Sequence, residues 1–314
     1  MNIEEIDKEI YNTIIKPTIG KSFKCPTLIC SGTSGNEIQI NYGLSPLRGD
    51  EKFKPKEDTF IHFTSLKVLH SILNEGCIRL YNIARMNDTK EVDFVAKKFR
   101  IDQQEINKFK ENAYIMSNCC STILNTSDEL MLWRLYGNDG LGCCIEFEYT
   151  NDINIYRLHR YNVNYIDENN QEIDNLINKL IEFNKKIEPY TINLKQFILN
   201  LAVFFKSKQF KSEKEQRLYI EIIKNCDNDK VFHDVNSKNN NTSYIEIPLS
   251  NSKNANQLND FNVNEKIRIK RIIFGHKNIK NKMNDMQKFK FLTNFFIDFT
   301  QMPKIEYSNI DFYN

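Results

Sequence analysis

The stretch that decides the fold is 59–88, "TFIHFTSLKVLHSILNEGCIRLYNIARMND". The apolar run Phe60–Phe63 reads as a strand. Leu66, Leu69, Ile72 and Leu73 then recur at helical spacing, and Gly76 supplies the left-handed residue that ends such a helix. Cys77–Tyr81 is a second strand, and the segment closes on polar Asn87-Asp88. Ser65 fits the N-cap of the helix. Packing accounts for all of this except His62. Alternation along a strand puts His62 on one face with Thr64 and turns Phe63 to the other. A lone histidine in a strand is ordinarily a hydrogen-bonded core or edge residue. Two polar side chains together at a strand end open a second reading, in which His62 begins an active site. Asn87-Asp88 has two readings as well. Asp88 and Glu91 match a capping box for a charged helix running towards Lys98, and the same place suits a substrate-facing loop.

Before this stretch, Ile3, Ile6, Ile10, Ile14 and Ile15 form a helical stripe. A Gly-, Pro- and Ser-rich segment follows, in which only "TLICS" and "EIQINY" are strand-like. Residues 1–58 are therefore expected to be an extension packing on a main domain of residues 59–314. After the stretch, "AYIMSNCCS" (113–121) and "GLGCCIEFEY" (140–149) read as strands. Between them lies a helix with Leu130, Trp133, Leu135 and Tyr136, N-cap candidates Thr126 and Ser127, and Gly137 as its stop. Helices are expected at 171–186 and 193–206, and a strand from about Gln216. The Asn-rich tract 224–243 reads as loop. Strands "YIEIPL" and "IRIKRIIFG", a helix around 279–296 and a last strand "KIEYS" complete the chain. The pattern is α+β, strands with helices inserted between them.

Composition narrows the classes. Of 314 residues, 40% are hydrophobic and 27% charged, as in an ordinary globular protein, and a net charge of +2 gives no global attraction for nucleic acid or membrane. No apolar run reaches the roughly 18 residues of a membrane span, and the N-terminal pattern is an acidic amphipathic helix rather than a leader. None of the eight cysteines forms a C-x-x-C pair, and the adjacent ones, Cys119-Cys120 and Cys143-Cys144, read as small buried hydrophobes. A reduced, cytoplasmic chain is expected. The histidines are scattered, and no metal centre is expected.

Two further constellations stand out. In "SEKEQR", Glu213, Glu215 and Arg217 alternate into a strand, which would set two carboxylates and a guanidinium side by side. Such a carboxylate can bond a sugar hydroxyl or stabilise developing positive charge, although a solvated strand edge has the same pattern. In "LWRLYG", Trp133 and Tyr136 share a helical face, as a core aromatic stripe does or as a stacking platform for an adenine or nicotinamide ring does. "GNDGLG" lies between helix and strand in the wrong order for a dinucleotide loop, and no strand–turn–helix elbow supports a serine hydrolase.

Taken together, "FIHFTSLKVLHSILNEGCIRLYNIARMNDTKE", "YIMSNCCS", "LMLWRLYGNDGLGCCIEFE", "FKSEKEQRLYIEI", "IKRIIFGH" and "IEYSNIDFY" resemble, in order, a broad bacterial family of uncharacterised proteins over residues 59–313. That family in turn distantly resembles ADP-ribosyltransferases. The His-x-Thr, helix, glycine, strand opening is similar to the first motif of the diphtheria-toxin-like branch. The resemblance implies an ADP-ribosyltransferase-like split antiparallel or mixed β-sheet core with inserted and flanking helices. It implies Glu215 as the catalytic glutamate, His62 on the ribose hydroxyls of NAD with Thr64 assisting, and Glu213 as target-orienting. Tyr81, Tyr136 and Ser117 compete for the remaining motif position, Trp133 adds an aromatic wall, and Asn87, Asp88 and Arg217 face the substrate.

The function expected on this basis is NAD-dependent mono-ADP-ribosyl transfer to a macromolecule by a toxin or phage-defence effector, with NAD as co-substrate. RNA is favoured as acceptor on the basic segments "KKFR", "FKSKQFK" and "IRIKRI", and an antitoxin is a conceivable partner. The alternative is a non-catalytic nucleotide- or partner-binding module of a defence or regulatory system.

Overall fold

The computed structural model describes residues 3–18, 30–41, 55–85, 90–120, 130–150, 158–167, 171–222, 231–235, 241–253, 266–296 and 298–310. These form two compact units. The first comprises Lys56–Arg85, Asn112–His159 and Glu213–Asn314, and the second Met1–Pro55, Met86–Glu111 and Arg160–Ser212. The break expected after residue 58 falls close to the Pro55/Lys56 boundary. The expected 59–314 domain differs from this grouping, in which 86–111 and 160–212 cluster with the N-terminal residues. The reason is shared burial. Helix Lys90–Lys98 buries Val92, Val95 and Ala96, and packs against helix Lys195–Ala202, which buries Phe197, Leu201 and Ala202.

The first unit is a mixed α+β structure. Its strands are β1 (Thr59–Thr64), β2 (Cys77–Asn82), β3 (Ala113–Cys120), β4 (Cys143–Thr150), β5 (Glu215–Glu221), β6 (Phe232–Val235), β7 (Asn241–Pro248), β8 (Lys266–Phe274) and β9 (Lys304–Tyr307). They run in the order β6-β7-β2-β3-β1-β4-β8-β9, with β5 laid along β3. Only β8 and β9 among these named pairs are parallel. The helices are α1 (Leu66–Glu75), α2 (Leu130–Leu135) and α3 (Asp285–Thr293).

The sheet separates two apolar layers. Phe60, Tyr114, Met116, Cys143, Ile145, Phe147, Leu218 and Ile245 belong to the layer on the first face. Ile61, Phe63, Cys119, Cys144 and Ile273 belong to the layer on the second, with Leu132 and Trp133 of α2 packed on them. Strand alternation makes this division, since neighbours in sequence enter different layers.

The opening unit forms as its sequence dictates. Ser65 caps α1 by accepting from Val68 N at 3.3 Å, and Gly76 ends it in the left-handed region at φ 69°. Leu69, Ile72 and Leu73 are buried, whereas Leu66 is 40% exposed, because it occupies the first turn on the outer side. Elsewhere three expectations shift. The tract 224–243 contains β6, because Phe232 stacks on Tyr244 with ring centroids 5.5 Å apart and pairs with it across the strands. The helix expected at 279–296 divides into a 3-10 turn His276–Asn281 and α3, where Asn284 and Gln287 form a reciprocal capping box. The helix expected at 193–206 spans Lys195–Ala202, between the short strands Thr191–Asn193 and Phe205–Ser207.

In the second unit, Cys30–Ser34 and Glu37–Asn41 form an antiparallel hairpin on which Thr191–Asn193 adds in parallel. Helix Gln171–Lys186 buries Leu176 and Phe183.

Candidate functional site

The site is built around a fork in the sheet. One edge of β3 is paired with β5 over Ala113–Cys119. The other edge is shared: β2 takes Tyr114 and Ile115, and β1 takes Cys119 and Cys120. Between these two ladders β1 and β2 diverge at Met116–Asn118. His62 is the first residue of β1 beyond its pairing with β3, and it stays paired to Ile145 of β4. Its Nδ1 lies 3.2 Å from the Ser117 carbonyl, and Asn118 Nδ2 donates to the Met116 carbonyl at 2.9 Å. Two side chains thus serve carbonyls at the point where one ladder is interrupted. Burial lowers the pKa of His62, opposed by its bonds to the Ser117 backbone and the Asn118 side chain. A neutral ring that donates from Nδ1 keeps Nε2 as an acceptor.

Glu215 lies two strands away. The register runs Ile61 to Cys119 to Glu215, so these three side chains share the second face. His62, next to Ile61, points to the first face, as does Thr64. The resemblance assigns His62 and Glu215 to one NAD site, whereas the ladder sets them on opposite faces of the sheet. Glu215 is 5% exposed and Arg217 4%, and the guanidinium donates to the carboxylate from Nε at 2.7 Å and from Nη2 at 3.2 Å. Fork-to-fork pairing of this kind fixes orientation as well as charge.

The second face brings together several expected residues. Ser117 stands opposite Arg217 and two places from Cys119. Tyr81 is opposite Ile115 on the same face and 39% exposed. Glu213 departs from the expected alternation. It ends the 3-10 segment Lys208–Glu213, and the left-handed Lys214 (φ 44°) separates it from β5. There its Oε1 accepts from Tyr136 Oη at 2.9 Å, with Tyr136 46% exposed.

Trp133 is no stacking platform. It is fully buried, edge-on to Phe63 at 4.9 Å and to His276 at 6.2 Å. Gly137 of "GNDGLG" makes room for it, since a Cβ there would lie 2.6 Å from Trp133 Cε3. A Cβ on Gly140 (φ 79°) would lie 2.1 Å from the His276 ring, and one on Gly142 would lie 2.1 Å from the Thr64 carbonyl oxygen. The motif is a packing device. Asn87 and Asp88, with the N-cap candidates Thr126 and Ser127, lie outside the described residues.

Three clusters escaped the sequence reading. Glu146 is buried on the second face and bound by Arg271 at 2.7 Å, a second carboxylate–guanidinium pair in the same sheet. Tyr81, Tyr244 and Phe232 form a ladder of rings across β2, β7 and β6, with Arg79 4.2 Å over Tyr244. Glu75, Cys77 and Glu246 each bring a ligand atom within 4.8 Å of the others. Arg79 already takes the cation's place there, 2.9 Å from Glu75 and 3.4 Å from Glu246, and burial together with both carboxylates pushes the Cys77 thiol far up. Strand register brings Arg271 to Glu146, Tyr244 and Phe232 to Tyr81, and Glu246 to Arg79, whereas Glu75, Cys77 and Arg79 are neighbours in sequence.

The basic segments are largely neutralised. Lys98 pairs with Asp174, Lys206 with Glu91, Lys208 with Asp167, Arg268 with Glu148, Lys270 with Glu146, and Arg271 with Glu146 and Glu306. No helix is long and apolar enough to cross a membrane among the described residues.

A family described as a protein of unknown function (DUF2971) matches residues 132–218. The matched stretch runs from α2 into β5 and includes Trp133, Tyr136, Glu213, Glu215 and Arg217, but not His62, Thr64, Tyr81 or Ser117. No curated protein and no solved structure matches the chain.

Proposed function

We propose that this chain is an NAD-dependent mono-ADP-ribosyltransferase that modifies a macromolecule, acting as a toxin or phage-defence effector. One observation supports the reading above others. The His-x-Thr strand β1, the Ser117 strand β3 and the Glu215 strand β5 lie side by side around a fork, with Glu215, Ser117 and Tyr81 on a common face. In the reaction the bond between nicotinamide and its ribose breaks. Nicotinamide leaves with the bonding pair, and an acceptor oxygen or nitrogen attacks the ribose carbon and loses its proton. Glu215, oriented by Arg217, stabilises the oxocarbenium character of the ribose. Tyr81 and Tyr136 are the exposed aromatic surfaces for the nicotinamide ring. His62 is a positioning residue that holds the Ser117 carbonyl from the first face. The paired state of the basic segments weakens the case for RNA as acceptor, so the assay carries RNA, DNA and protein equally.

A second reading, a non-catalytic nucleotide- or partner-binding module, draws on the Glu215–Arg217 pair, which already occupies both carboxylate oxygens. Incubation of the pure chain with labelled NAD and total RNA, DNA or lysate separates the two. Transfer of label and release of nicotinamide, both lost in Glu215→Gln, are expected of the transferase. A wild type that is inert on every acceptor, with Glu215→Gln indistinguishable from it, overturns that reading. NAD-dependent thermal stabilisation without turnover would then favour the binding module.

A further inference from the structure

The second unit forms a half-open cavity of about 230 Å³. One face of helix Gln171–Lys186 walls it, with Ile177, Leu180, Ile181 and Asn184 at i, i+3, i+4 and i+7. This is a different stripe from the one that Leu176 and Phe183 bury. The helix thus carries apolar residues for two directions, and Ile181 stays 43% exposed on the cavity side. Buried Ile101, Leu194 and Ile198, with Phe99 and Ile192, complete the apolar lining.

The polar rim is uneven. Lys195 donates to Glu105 at 2.8 Å, a bond that raises its pKa. Lys98 lies 3.7 Å from Asp174, and Glu37 accepts from Asn193 at 2.6 Å. Arg100 has no side-chain ion pair or hydrogen bond among the described residues. It also stands where its residue type is least expected. The bonds Arg100 N to Lys97 O and Ile101 N to Ala96 O close helix Lys90–Lys98 in a Schellman turn, with Arg100 at φ 56°. Glycine is favoured at that position, because a left-handed backbone is unfavourable for an L side chain. The first turn of helix Lys195–Ala202 opens on the same cavity, where Asn193 Oδ1 already accepts from Lys195 N at 2.8 Å.

We infer that this cavity binds a small amphipathic anion, with a carboxylate or phosphate head at Arg100 and an aliphatic body along the Ile177–Ile181 stripe. At about 30 Å³ per water molecule, the volume is that of roughly eight waters, which suits a short aliphatic body with one head group. The inference does not rest on the transferase reading.

Isothermal titration of the full chain with hexanoate, butyl phosphate, hexan-1-ol, hexylamine and inorganic phosphate tests it. At least one of the two amphipathic anions should bind tenfold or more tightly than the alcohol, the amine or inorganic phosphate. Arg100→Gly should weaken that binding tenfold or more while the melting temperature holds or rises, because glycine relieves the left-handed backbone. Arg100→Asn, which also tolerates that backbone, provides a second folded variant with the same expected loss. Absence of binding by both anions, equal binding of hexan-1-ol, or undiminished affinity in the folded Arg100 variants overturns the proposal.

Discussion

On the first face of the sheet, His62 donates to a backbone carbonyl at the fork and is held neutral by burial. On the second face, Glu215 is gripped by Arg217 in an arrangement that has meaning only for charged partners. Both residues are polar groups in adjacent parts of one sheet, His62 half-buried and Glu215 buried, but they answer different demands. His62 substitutes for a missing stretch of ladder, so its value is that of a donor in place. Glu215 and Arg217 compensate each other, so removal of either exposes the other to the cost of unpaired burial. Residue type alone would have ranked the two as equals in one active site.

The largest effect that could break this contrast is expected at Arg217. Replacement by Met should cost about 3–5 kcal/mol in urea unfolding, because it leaves the Glu215 carboxylate buried without its partner. The double variant Glu215→Leu, Arg217→Met should recover a substantial part of that loss. A cost below about 1 kcal/mol for the single variant would mean that the pair is solvated and carries little. His62→Phe should cost about 1–3 kcal/mol, the penalty of a Ser117 carbonyl deprived of its donor. His62→Gln, which keeps a donor, should cost less. Equal losses in the two would assign His62 to simple packing.

The smallest effect is in the pH dependence. The pKa of His62 is lowered in the folded chain from 6.5, so the unfolded chain binds the proton more readily. Its contribution to stability is therefore present above pH 6.5 and is lost as pH falls from there towards the folded value. The slope it adds is at most about 1.4 kcal/mol per pH unit. Urea midpoints measured from pH 7.5 to 5 should fall more steeply in wild type than in His62→Gln, and parallel curves would show that the imidazole is not held neutral.

Much of the fold was legible locally. The strand–helix–strand unit announced itself through helical spacing, the Ser65 cap and Gly76, and the shared face of His62 and Thr64 follows from alternation alone. Which face of one strand meets which face of another is a different kind of information. It depends on the Ile61–Cys119–Glu215 register, formed between segments more than fifty residues apart in sequence, and no short motif encodes it. The left-handed Lys214 likewise breaks an alternation that the "EKEQR" pattern invites. Trp133 misled for a further reason: aromatic residues on one helical face serve a core and a ligand equally well, and only the surrounding glycines and Phe63 decide between them.

The adjacent cysteines carry a consequence of the two-layered sheet. Cys119 and Cys144 enter the layer of Trp133, whereas Cys143 enters that of Phe60, and Cys120 stands opposite Phe60. Neighbouring thiols are thereby sorted to the two sides of one backbone. Each dipeptide is a built-in differential reporter, and the order in which its two sulfurs become alkylated during unfolding tells which layer admits solvent first.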